Sequence, residues 1–204
     1  MALCAAFAAC GGAEEAPAPE AAEAAPAVVA EADLTGCYLA GATPAEAAQR
    51  TSPRRAIAFA VGATQARVCY GAPSARGRVV MGELVPYGEP WRAGADEATA
   101  LILEGPAVVG GVQLQAGAHS LFVVPGATSW EVVINSQVER WGIPIDEAVR
   151  AADVGTFSVV PEPTAAPVET LTYQFTSTGA DAGELVLEWE STRIRIPVAA
   201  GTGM

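Results

Sequence analysis

Leu171, Tyr173 and Phe175 alternate with Thr172, Gln174 and Thr176, and this two-residue rhythm recurs through most of the chain after Pro53. Successive side chains of a β-strand point to opposite faces, so a period of two predicts strands with one buried and one wet face. Ile57, Phe59 and Val61 alternate with alanines, Val68 and Tyr70 with Arg67 and Cys69, and Trp130, Val132 and Ile134 repeat the pattern. Thr99–Glu104, Val108–Leu114, Ser120–Val124 and Thr156–Val160 are further strand candidates, with Gly110-Gly111 and Pro125-Gly126 as turns. Short strands spaced about 8–12 residues apart predict an all-β, antiparallel sandwich rather than a parallel α/β sheet. One or two short helices are expected beside it. Thr43-Pro-Ala-Glu46 has the residues of an N-cap, a first-turn proline and a capping-box glutamate, with Ala45 to Arg50 continuing the turn. Pro144 to Ala151 is the second helical stretch.

Between Glu184 and Val198 the alternation changes phase. Leu185, Leu187 and Trp189 share one parity, and Ile194, Ile196 and Val198 the other. The expectation is a hairpin turning at Ser191-Thr192, with Glu190 opposite Arg193 and Glu188 opposite Arg195.

The N-terminal part has a different composition. The chain carries a formal net charge of -12. Residues 1–49 hold seven acids and no basic residue, leaving 16 acids against all 11 basic residues, every one an arginine. A mildly acidic domain without a basic cluster repels phosphate backbones, so nucleic acid is not an expected partner. Residues 11–34, rich in Ala, Pro and Glu, are expected to form a disordered linker, since such a segment lacks the apolar surface to fold. No stretch of about 20 strongly apolar residues is present, so no helical membrane span is expected.

Phe7-Ala-Ala-Cys10 matches the end of a bacterial lipoprotein signal segment, although a positive start and a full apolar run are missing. Residues 1–10 are therefore read as a truncated signal segment with Cys10 as the lipidation site. The expected location is the cell envelope or periplasm, with the membrane contacted only through the lipid anchor. Cys37 and Cys69 then remain as a pair. In an oxidising compartment an even pair reads as one disulfide, and the alternative is two buried free thiols. Residues 35–200 are assigned to a single domain.

Several segments point together to one family. They are Gly71 to Arg78, Gly82 to Arg92, Gly94 to Thr99, Ala116 to Gly126, Trp130–Asn135, Trp141-Gly142, Val168 to Thr170 and Leu187 to Glu190. In their order they show that the chain resembles the bacterial domain of unknown function 2911 family over residues 50–198. The resemblance implies an exported protein and supplies no reaction. Asp96 stands where the family usually has Asn, and His119 where it usually has Tyr.

The segment from Gly71 to Glu97 is the candidate contact surface. Arg76, Arg78, Trp91, Arg92 and Glu97 bring two-pronged cations and an indole into one Gly- and Pro-rich loop, which suits a carboxylate, phosphate or sugar. The competing reading pairs Arg92 with Glu97, and Arg76 and Arg78 with Glu83 or Glu89, as structural ion pairs. Trp130, Trp141 and Trp189 are expected in the core. The function expected is an extracytoplasmic, lipid-anchored binding module for a small ligand or an envelope protein. The alternative is a hydrolase using Ser74 or His119 in a cleft under the same loop; with Asp96 or Glu97 these have the residue types of a nucleophile, base and orienter but no nucleophile elbow. No cofactor fingerprint is present, and one histidine without acids at ligand spacing predicts no metal site.

Overall fold

The computed structural model describes Met1 and residues 31–202; Cys10, expected to be lipidated, and the expected linker as far as residue 30 lie outside the described residues. The fold is an antiparallel β-sandwich of two sheets with two short helices. Seven strands form the larger sheet: β1 (Glu31–Ala32), β2 (Arg54–Val61), β3 (Thr64–Gly71), β4 (Thr99–Leu103), β7 (Gly117–Val124), β8 (Trp130–Asn135) and β9 (Asp153–Val159), adjacent in that order. The smaller sheet runs β10 (Glu162–Gly179), β11 (Ala182–Ala200), β5 (Ala107–Val109) and β6 (Val112–Leu114). Residues 31–34 belong to the domain and not to the linker: Glu31 and Ala32 pair with Ile57 and Ala56, and the Asp33 carboxylate meets Arg67.

The alternation explains the packing. Ile57, Phe59, Val68, Tyr70, Leu101, Leu121, Val132 and Ile134 face inward from the larger sheet and meet Leu171, Tyr173, Phe175, Leu185 and Leu187 of the smaller one. Phe59 stacks on Phe175 with ring centres 4.2 Å apart, and Tyr70 meets Tyr173 edge-on at 4.8 Å. Each such buried side chain contributes about 1.5–3 kcal/mol relative to exposure. The capping box forms: Thr43 accepts from the Glu46 amide and Glu46 accepts from the Thr43 amide, fixing α1 (Pro44–Ala48). Helix α2 (Glu147–Arg150) starts at Asp146, whose carboxylate accepts from the Val149 amide.

The hairpin expected at Ser191-Thr192 does not form. Residues 182–200 are one strand, and its hairpin partner is β10, reached through Ala180-Asp181. The phase change comes from an irregularity at Glu190, whose φ of 54° lies in the left-handed region. One residue out of step moves every later side chain to the opposite face, as a β-bulge does. Leu187 and Trp189 on one side of Glu190, and Ile194 and Ile196 on the other, thereby all reach the core. The ion pairs change accordingly: Arg193 meets Glu188, and Arg195 meets Glu162 and Glu184. Trp141 also departs from expectation, being exposed while Trp130 and Trp189 are buried.

A disulfide joins Cys37 to Cys69 on the outer face of the larger sheet. It ties the segment before α1 to β3 across 32 residues and stabilises the fold by roughly 3–4 kcal/mol through loop closure in the unfolded chain.

Candidate ligand-binding cavity

The 27 residues between β3 and β4 form a strap across one end of the sandwich. It is fastened to both sheets. On the smaller sheet, Ser74 bridges Thr170, the Ala75 amide donates to the Glu169 carbonyl, and the Leu171 amide donates to Pro73. On the larger sheet, Trp91 and Val123 exchange backbone hydrogen bonds of 2.7 and 2.8 Å, and the Gly88 amide donates to Pro125. Glycine closes the neck of the strap. A Cβ on Gly71 would stand 2.1 Å from the Ala95 carbonyl oxygen, so the two ends approach this closely only without a side chain there.

Local turn chemistry then places the cations. Arg76 and Gly77 both have positive φ, 53° and 71°, and the Arg78 amide donates to the Ala75 carbonyl. This is the mirror-image tight turn that Gly at its second central position favours. Arg78 Nε and Nη2 donate to the carbonyls of Ala75 and Ser74 at 2.8 Å, holding its side chain against the turn. Arg92 is half-buried; its stem lies where a Cβ on Gly142 would come within 2.1 Å of Cδ. Ala93 keeps a left-handed backbone, its carbonyl accepting from Thr99 Oγ1 at 3.1 Å and from the Tyr173 hydroxyl at 3.0 Å. Burial pushes the Tyr173 phenol far above its ordinary range, so it remains a donor to that carbonyl.

A cavity of about 420 Å³ results, lined by Arg76, Arg78, Trp91, Arg92, Asp96 and Trp189 together with Ser74, Leu84 and Val85. Four of the five candidate residues therefore converge. Trp91 stacks on Trp189 with centres 5.7 Å apart and meets Trp130 edge-on at 6.3 Å. Among the described residues, six of the 11 arginines form ion pairs with carboxylates, and Arg76, Arg78 and Arg92 are not among them. Neither Glu83 nor Glu89 pairs with Arg76 or Arg78. Burial lowers the pKa of Arg92 and the nearby Asp96 carboxylate opposes that shift, yet no ion pair forms between them.

Glu97 does not belong to the cavity. It is completely buried, and Oε1 accepts from Arg50 Nη1 at 2.6 Å. Arg50 also donates to the Leu39 carbonyl and lies 5.9 Å from the Trp141 ring centre. Arg54, buried beside this pair, is pulled down to about 10 by loss of water, with Glu97 opposing. The Glu97 charge thus holds the foot of the strap, and the pairing of Arg92 with Glu97 does not occur. Asp96 is the cavity residue that the sequence reading passed over as a ligand contact. Its φ of 61° is a conformation that Asn and Asp adopt more readily than other side chains, so either residue fits the backbone there.

Ser74 lines the cavity, with its hydroxyl 3.1 Å from Thr170 Oγ1. His119 lies on β7, where Nε2 is 3.3 Å from the Gln115 carbonyl and Nδ1 has no partner. No hydrogen bond joins Ser74 to His119, and His119 is not in the cavity wall. Among the described residues no three His, Cys, Asp or Glu side chains are grouped as metal ligands would be.

The molecule is thus an all-β sandwich carrying a strapped, arginine-lined cavity at one end. The family model described as "Protein of unknown function (DUF2911)" matches residues 52–198, and the chain belongs to that family. No curated protein and no solved structure matches the chain.

Proposed function

We propose that the chain is a binding module of the cell envelope that captures a small anionic ligand in the strapped cavity. The observation that carries this reading is the convergence of Arg76, Arg78 and Arg92, none paired with a carboxylate, on one cavity. Arg92 is half-buried and its Nε has no hydrogen-bond partner, so an incoming carboxylate or phosphate restores a bond that the wall withholds, while Arg76 and Arg78, at the exposed rim, add positive charge. Three cations against the single carboxylate of Asp96 give the wall an excess of positive charge in a chain of net charge -12. The volume suits a small molecule, since ligand sites of that kind span about 300–1,000 Å³.

The envelope location and the lipid anchor at Cys10 are part of the same proposal. The Cys37–Cys69 disulfide supports the location, because such bonds persist in oxidising compartments and are rare in the cytosol. Titration with cyclohexanecarboxylate and with inorganic phosphate, followed by indole fluorescence, tests the binding. Saturable quenching is expected in the native protein, weakened at least about tenfold by R76A/R78A. The melting temperature of that variant should stay within a few degrees. Unchanged binding overturns the reading, and unfolding of the variant assigns the two arginines to structure instead.

A further inference from the structure

The cavity wall pairs features that a simple anion does not need. Asp96 faces the same space as the three arginines, and its carboxylate makes no hydrogen bond among the described residues. It is close enough to Arg92 to influence that guanidinium, but the two do not close into an ion pair. An ionised carboxylate offers only acceptors and is repelled by Asp96. A hydroxyl both donates and accepts, so one hydroxyl can take a hydrogen bond from Arg92 and give one to Asp96. Beside this gap stands the Trp91 ring, half-buried and backed by the stack on Trp189, with Leu84 and Val85 completing an apolar side. The C–H face of a saturated sugar ring is apolar and packs on an indole, while its edge presents hydroxyls.

We propose that the ligand is an acidic saccharide: a hydroxylated ring on the Trp91 side, its hydroxyls between Arg92 and Asp96, and its anionic substituent held by Arg76 and Arg78. This inference rests on the anion-binding reading and goes beyond it by requiring hydroxyls. Neutral sugars lack the group that Arg76 and Arg78 would hold, and ringless anions lack the apolar ring face for Trp91.

Three probes of matched ring size separate these requirements: D-glucuronate, D-glucose and cyclohexanecarboxylate, each titrated into the full chain and followed by indole fluorescence and calorimetry. D-glucuronate should bind at least about tenfold more tightly than cyclohexanecarboxylate, one hydrogen-bonded contact's worth of affinity, and D-glucose should give no saturable signal. The variant D96G, in which glycine adopts the left-handed backbone without strain, should erase the advantage of D-glucuronate. Cyclohexanecarboxylate should bind it as well as before or better, since a repelling charge has gone. Equal or tighter binding of cyclohexanecarboxylate to the native protein overturns the saccharide assignment and leaves anion binding standing. An undiminished preference for D-glucuronate in D96G overturns the role given to Asp96, and with it the proposal. Absence of binding by both anions overturns this proposal, and absence of phosphate binding as well overturns the reading beneath it. The comparison in the native protein decides the matter even where D96G does not fold.

Discussion

Asp96 and Glu97 are neighbours with the same charge and opposite fates. Asp96 faces the cavity, whereas Glu97 is fully buried against Arg50, 47 residues away in sequence. A carboxylate without water is stable only while its cation stays, and removal of one partner leaves the other uncompensated. Replacing Glu97 with Gln (E97Q) should therefore lower stability by about 3 kcal/mol, read as a fall in the urea midpoint with unchanged slope. A change below about 0.5 kcal/mol, the level of an ordinary surface substitution, would show that the pair contributes nothing. Nothing local in the sequence distinguishes the two acids. The partner of Glu97 comes from the segment before β2, and only the folded chain brings it near. Arg76, Arg78, Trp91 and Arg92 were legible as a surface because they share one loop, but their freedom from acidic partners depends on where Glu83 and Glu89 point.

At the level of the strand, β4, β7 and β9 were legible only as short strand candidates between turns, β4 being buried on both faces. The alternation located β2, β3, β8 and the paired part of β10, where alternate residues face the core. It did not distinguish a hairpin from a bulge in β11. Both devices move the apolar side chains after Glu190 from odd to even positions, and Ser191-Thr192 is compatible with either. Glu190 marks the difference, since here the step is taken at one residue that keeps a left-handed backbone. E190G should leave stability unchanged or raise it by up to about 1 kcal/mol, because glycine adopts that backbone freely. E190V should lower the melting temperature by several degrees, as a β-branched side chain is strained there. Equal melting temperatures for the two variants would contradict a left-handed Glu190. The strap was readable as a loop from its Gly and Pro content. Its fastening to β7 and β10 was not, because isolated backbone bridges such as Trp91 to Val123 leave no side-chain pattern.

For the molecule as a whole, the charge asymmetry, the disulfide and the proposed anchor meet in one measurement. Protein isolated from its native cells should have an intact mass that begins at an acylated Cys10 and is two hydrogens lighter than the reduced chain, for the Cys37–Cys69 bond. After reduction the melting temperature should fall, in keeping with the roughly 3–4 kcal/mol that closing such a loop contributes. A cytoplasmic chain that retains Met1 would overturn the envelope assignment.

The strap's double fastening has a consequence for the proposed binding. With one arm laced to β7 and the other to β10, the strap cannot swing aside without breaking its backbone hydrogen bonds to both sheets. Under the proposed binding, a ligand meets a mould already set, and little of its affinity should be lost to ordering the strap.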